Sequence, residues 1–211
     1  SPPQYRPGEA LLRVGRHAEA EAAFRAALAA DPGHVPAWIR LADLLRTAGR
    51  LDEAEACAAA ALERDEESAA AWHAAGMVLK EKGRTEPAVE RFEQALRLEP
   101  GRVQALQQIG EILRYENRID EAEKRFREGL RLRPGDAGLS IDLAQVLADQ
   151  MRYEESFALL EKVLARQPDS PVALATKGVL LDLTGRPAEA QALFGAALAR
   201  DPGSVMQAMS Q

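Results

Sequence analysis

Apolar and small residues along this chain fall into paired short clusters, separated by polar and turn-forming residues. The stretch from Ala69 shows the pattern most clearly. Trp72, Ala75, Gly76 and Leu79 recur at steps of three and four, the spacing of one helix face. Ala88, Phe92 and Ala95 repeat that spacing in a second cluster. Gly83-Arg84 stands between the two, and Pro100 closes the pair. The same phrase begins again at Val35, Val103, Ala137 and Pro171. Pro32, Pro100, Pro134, Pro168 and Pro202 lie on one 34-residue grid, with Glu66 at the remaining grid point. Halfway between grid points the chain reads Gly15-Arg16, Gly49-Arg50, Gly83-Arg84, Asn117-Arg118, Met151-Arg152 and Gly185-Arg186. Gly and Asn suit the left-handed residue that ends a helix, and proline cannot continue one. Each unit is therefore predicted to be helix, turn, helix, turn. First helices are expected over 35–48, 69–82, 103–116, 137–150 and 171–184. Second helices are expected over 18–31, 52–65, 86–99, 120–133, 154–167 and 188–201. Helices this short are marginal alone and must pack on one another.

The phrase resembles the tetratricopeptide repeat (TPR). The residues that carry the resemblance include Leu106, Ile109, Gly110, Leu113, Ala122, Phe126, Gly129 and Pro134 in the unit from Val103. In the unit from Pro171 they are Leu174, Lys177, Gly178, Leu181, Ala190, Phe194, Ala197 and Pro202. The unit from Val35 has Trp38, Leu41, Ala42, Leu45, Ala54, Ala58 and Ala61. The resemblance implies an all-α fold, a right-handed superhelical solenoid of antiparallel helix pairs. Six repeats are expected, over about 1–34, 35–68, 69–102, 103–136, 137–170 and 171–204, in a single domain over 1–211. Residues 205–211 then form a partial capping segment, in which Met206 and Met209 cover part of the last helix. Phe24, Phe92, Phe126 and Phe194 are expected to fill the space between one helix pair and the next. Trp38 and Trp72 take core places, and Thr85, ahead of Glu86-Pro87, reads as a helix cap. Two repeats depart from the pattern. Pro2, Pro3 and Pro7 are expected to delay the first helix to near Gly8. Ser140, Ser156, Leu160 and Val163 are expected to loosen the fifth repeat.

Composition narrows the function. The chain has 211 residues, with 27 basic and 33 acidic side chains, a net charge of −6. A net acidic chain without a basic block is a poor polyanion binder, which argues against nucleic acid. No apolar run reaches the length of a membrane span, so no membrane insertion is expected. Alanine, at 41 residues, and arginine, at 22 against 5 lysines, dominate the composition and favour helix. The bias points to a GC-rich bacterial genome. Ser1 to Arg16 lack the continuous apolar core of a signal peptide. A cytoplasmic location is expected, or a periplasmic one where an upstream signal has been removed. A chain that opens on Ser1 is expected to be processed or excised from a longer one.

Candidate chemistry is sparse. His17, His34 and His73 fall at unrelated places of the repeat and do not converge as metal ligands do. They are expected to be solvated or to face the groove. Cys57 reads as a small packing residue. Glu53, Glu55, Glu121 and Glu123 sit where they favour the helix macrodipole. No catalytic residue, cofactor or metal site is expected, and the chain is read as a non-enzyme.

What remains is a surface. The resemblance implies a concave groove lined by the first helices. Its side chains here are Ile39, Arg40, Asp43 and Arg46, then His73, Met77 and Lys80, then Gln104, Gln107, Gln108, Glu111, Arg114 and Tyr115. The fifth repeat adds Ile141, Asp142, Gln145 and Asp149, and the sixth Ala175, Thr176, Val179 and Asp182. Amides with scattered exposed Ile39, Met77, Ile141 and Val179 suit an extended peptide. The groove is expected to centre on the third and fourth repeats. A chaperone-type carboxylate clamp is not expected, because its Lys and Asn places hold Tyr5 and Glu9, Ile39 and Asp43, His73 and Met77, and Gln107 and Glu111. The asparagine ladder of TPR-bearing sugar transferases is replaced by Arg6, Arg40, Ala74, Gln108, Asp142 and Thr176. The expected function is a protein-interaction scaffold binding an extended or helical segment of a protein partner. The alternatives are the substrate-recruiting arm of a larger bacterial glycosyltransferase or sulfotransferase, or a periplasmic assembly or export protein. Self-association through the C-terminal end is a further expectation.

Overall fold

The computed structural model describes residues 2–201. Among these it has twelve α-helices and no strand. They form two compact units that divide after Gln108. The first holds α1 (Tyr5–Arg13), α2 (His17–Ala30), α3 (Val35–Thr47), α4 (Leu51–Arg64), α5 (Ala69–Glu81), α6 (Thr85–Leu98) and the start of α7 (Val103–Tyr115). The second holds the rest of α7, then α8 (Ile119–Leu132), α9 (Ala137–Asp149), α10 (Tyr153–Arg166), α11 (Pro171–Leu183) and α12 (Pro187–Leu198). In the first unit α1 to α6 each pack on the next, and α3 also touches α5. In the second, α8 to α12 do the same, and α9 also touches α11. The capping segment expected over 205–211, with Met206 and Met209, lies outside the described residues.

Four first helices, α3, α5, α9 and α11, are capped by their preceding side chain. Ser68, Asp136 and Ser170 accept from the backbone N–H of Ala71, Leu139 and Ala173, at 3.2, 3.1 and 3.4 Å. Second helices are built otherwise. Each starts one residue earlier than expected, with an arginine at the cap place and no side-chain cap. Thr85 is accordingly the first residue of α6 and Arg84 its cap. In five of the six the arginine grips a glutamate three residues on, as Arg50 does Glu53 at 2.6 Å. α1 begins at Tyr5 instead of near Gly8. Pro7 falls in its first turn, where a missing N–H costs nothing because that group has no intrahelical partner.

The turn between paired helices takes the left-handed region every time. Gly15, Gly49, Gly83 and Gly185 have φ of 73–78°, Asn117 has 60° and Met151 has 59°. Met151 is 75% exposed, so the bulky residue sits in that region with little packing around it.

Phe24, Phe92 and Phe126 are fully buried. Each ring presses on a glycine of the first helix in its own pair. A Cβ on Gly8, Gly76 or Gly110 would stand 2.7, 2.7 or 2.5 Å from the ring. Each ring thus packs inside its own pair, and Phe24 also shares a core cluster with Ala37 and Leu41 of the next pair. Phe194 meets Gly178 in the same way and is half-buried. Two repeats carry a methyl at the glycine place, Ala42 and Ala144, and both have a smaller opposing residue, Ala58 and Leu160. Trp38 and Trp72 are half-buried, and Trp38 packs against the core cluster of the first unit. Their indole N–H groups donate to the carbonyls of Pro32 (2.9 Å) and Glu66 (2.7 Å). Arg64 and Arg91 lie over the two rings, 4.9 and 5.1 Å from the centroids. The fifth repeat is not loose. Seven consecutive-turn residues of α9, from Leu139 to Leu147, are buried, and the buried Ser156 hydroxyl donates to the Ala144 carbonyl at 2.7 Å.

Candidate interaction face of the first helices

Hydrogen bonds link the first helices in sequence from α1 to α9. In the first unit Tyr5 donates to Glu9 on α1 at 3.1 Å, and Arg40 on α3 reaches the same carboxylate at 3.3 Å. Arg46 on α3 meets Glu81 on α5 at 2.9 Å and lies 3.8 Å from Asp43. Lys80 on α5 donates to Gln108 on α7 at 2.7 Å. In the second unit Arg114 donates to Asp149 (2.6 Å) and Gln145 (3.1 Å) on α9. Arg46, Lys80 and Arg114 stand 34 residues apart, so one place of the repeat supplies the cation each time. That basic series is visible in the sequence, but its partners follow only from helix packing.

Ile39, Met77, Gln107, Gln108, Glu111, Gln145 and Val179 are half-buried, while Arg40 and Gln104 are exposed. Three expected groove residues are not on the surface. Ile141 is 5% exposed and packs in a core cluster with Ala173 and Leu180 of α11. Ala175 and Thr176 are also buried, and the Thr176 hydroxyl turns back to the Val172 carbonyl at 2.8 Å.

The three histidines part company. His17 is exposed at the start of α2. His34 is structural: its Nδ1 accepts from Ala37 N–H at 3.2 Å, and its ring meets Tyr5 edge-on at 4.6 Å. His73 lies 5.2 Å from the Phe92 ring. Burial, with the charges of Arg102 and Arg46 behind it, pushes its pKa down to about 4. Its Nδ1 and the Arg46 Nε are buried without a hydrogen-bond partner among the described residues. Partial burial pushes the Asp43 carboxyl up, against the pull of Arg46 and Arg40.

The glutamates at second-helix starts do more than favour the macrodipole. Arg50 crosses to Glu21 (2.8 Å), Arg84 to Glu55 (3.0 Å) and Arg152 to Glu123 (2.9 Å), each joining one repeat to its predecessor. Burial pushes the Cys57 thiol up, in keeping with a packing role. Among the described residues no cluster of three His, Cys, Asp or Glu side chains is placed to hold a metal, and no helix is long and apolar enough to cross a membrane.

Models of the tetratricopeptide repeat match residues 11–77, 113–177 and 147–210, and a second model of that repeat matches 69–102. Solved structures with the same fold include PilF of Pseudomonas aeruginosa, at 20% identity and a TM-score of 0.80, over 98% of this chain and 95% of that one. PilW, a type IV pilus biogenesis factor, matches at 17% identity and a TM-score of 0.85, over 98% and 96% of the two chains. YrrB, a TPR protein with an unusual peptide-binding site, matches at 22% identity and a TM-score of 0.62, over 89% and 98%. No curated protein matches the chain.

Proposed function

The chain belongs to the tetratricopeptide repeat family, and from that premise we propose that it is a non-enzymatic scaffold that holds an extended or short helical segment of another protein on its first-helix face. The observation that carries this reading is the wiring of that face. Arg40–Glu9, Arg46–Glu81 and Lys80–Gln108 in the first unit, and Arg114–Asp149 in the second, fix long polar side chains before any partner arrives. Groups already ordered lose less entropy on binding. Half-buried Ile39 and Met77 offer apolar contact beside them in the first unit, and Val179 does so in the second. Amides at Gln104, Gln107 and Gln145 supply donors and acceptors for a peptide backbone.

The test is partner capture from native lysate with three variants of the intact chain. Gln104→Ala with Gln107→Ala changes the face in the first unit, and Glu111→Ala with Gln145→Ala changes it in the second. Glu90→Ala with Arg97→Ala changes exposed second-helix residues. Loss of capture in either face variant, with helicity kept and the second-helix variant still binding, is the expected result. Capture lost only in the second-helix variant contradicts the reading.

The end-to-end likeness to PilF and PilW favours one particular setting, the assembly of a surface filament. Deletion of the native gene should then abolish filaments while total filament subunit stays constant. Unchanged filaments would remove that setting and leave the scaffold reading intact.

A further inference from the structure

At three seams an arginine and a glutamate at fixed repeat places latch successive second helices together, while the place that matches Arg118 holds Val89. Arg50 with Glu21, Arg84 with Glu55 and Arg152 with Glu123 are the instances described above. At the next seam, between α10 and α12, the glutamate place holds Phe157. Arg186, the corresponding arginine, is left with Glu189 of its own helix, at 2.7 Å. The seam is correspondingly open. A cleft of about 640 Å³ lies there, floored by Phe157, Leu181 and Leu193, within the size range of small-ligand and side-chain sites.

The rim decides what fits. Glu161 is paired with Lys177 at 3.5 Å, and Glu189 with Arg186. Glu154, exposed on the same rim, has no hydrogen bond or ion pair among the described residues. The rim thus has one carboxylate more than its cations balance. We propose that this unlatched seam is a second docking site, distinct from the first-helix face, for a partner segment that presents a Leu- or Phe-sized side chain next to a lysine or arginine. The apolar side chain fills the floor, and the cation meets Glu154. Removing apolar surface from water supplies the attraction, and the surplus carboxylate selects basic over acidic flanks.

Nuclear magnetic resonance of the intact chain tests this with two blocked tetrapeptides, Lys-Leu-Phe-Lys and Glu-Leu-Phe-Glu. The basic peptide should shift the amide signals of Ala158, Ala192 and Leu193, and the acidic one should bind at least about tenfold more weakly. Phe157→Glu supplies the glutamate that three other seams carry and lets Arg186 close the gap. It should weaken the basic peptide at least about tenfold without lowering stability. Glu154→Lys, a change on an exposed residue, should reverse the preference between the peptides and keeps the test decisive if Phe157→Glu proves unstable. The proposal is overturned if neither peptide shifts these signals, if both bind alike, or if both variants bind as the parent does. Shifts that appear without peptide, grow with protein concentration and vanish in Phe157→Glu would also overturn it, because the occupant would then be a second copy of the chain.

Discussion

A methyl group at Gly76 would stand 2.7 Å from the Phe92 ring, inside any ordinary contact. Overpacking of this kind costs about 1–3 kcal/mol. Gly76→Ala should therefore destabilise the chain, and Phe92→Leu in the same molecule should recover part of the loss. The fifth repeat already uses that combination, Ala144 with Leu160. Denaturant unfolding of the two single variants and the double variant checks it; purely additive losses would mean that the two sites do not share space. His73 gives a prediction in pH. Its folded pKa of about 4 lies below the ordinary 6.5. Between those values the unfolded chain takes up a proton that the folded chain refuses, so stability falls as pH drops through that window. The loss attributable to His73 is at most about 3 kcal/mol. His73→Gln should flatten the stability profile between pH 6.5 and 4 relative to the parent, while profiles above that window stay parallel. Profiles that coincide throughout would show that the imidazole is not held neutral.

Element by element, most of the architecture was legible because turn chemistry repeats with the period of the fold. Prolines and Gly-Arg pairs mark helix ends, and α3, α5, α7, α9 and α11 start where the spacing predicts. The differences arise where a neighbour decides. Thr85 looks like a cap, yet it is the first residue of α6 and Arg84 takes the cap place, as an arginine does in all six second helices. Ile141 looks like a groove residue by its register with half-buried Ile39, and becomes core because it packs with Ala173 and Leu180 of α11. Neither outcome is written in the segment itself. The turn between α9 and α10 carries the one conformation at odds with its residue type. Met151, at φ 59°, does what glycine does in four other repeats. A side chain in that region costs about 1–2 kcal/mol, offset in part by the entropy of an unfolded glycine. Met151→Gly should raise the stability of the chain by about 1 kcal/mol, read from the midpoint and slope of urea unfolding. A decrease would mean that Met151 makes contacts stronger than its strain.

At the scale of the whole molecule, each unit coheres through neighbour-to-neighbour contacts. Phe92 anchors the pair α5–α6 in the first unit, and Phe126 packs α8 on α7 in the second. Deleting either ring should cost about 3–5 kcal/mol. Hydrogen exchange should then quicken first in the helices that touch the change, sparing α1 and α2 for Phe126→Ala. A uniform rise along the chain would indicate one cooperative core instead. The central claim is that the first-helix face receives the partner. A photo-activated cross-linker placed singly at Arg40, Gln104, Glu90 and Arg97, all exposed, tests it in native cells with the intact chain. One and the same protein should be captured from Arg40 and Gln104 and not from Glu90 or Arg97. Capture from Glu90 or Arg97 alone would contradict it.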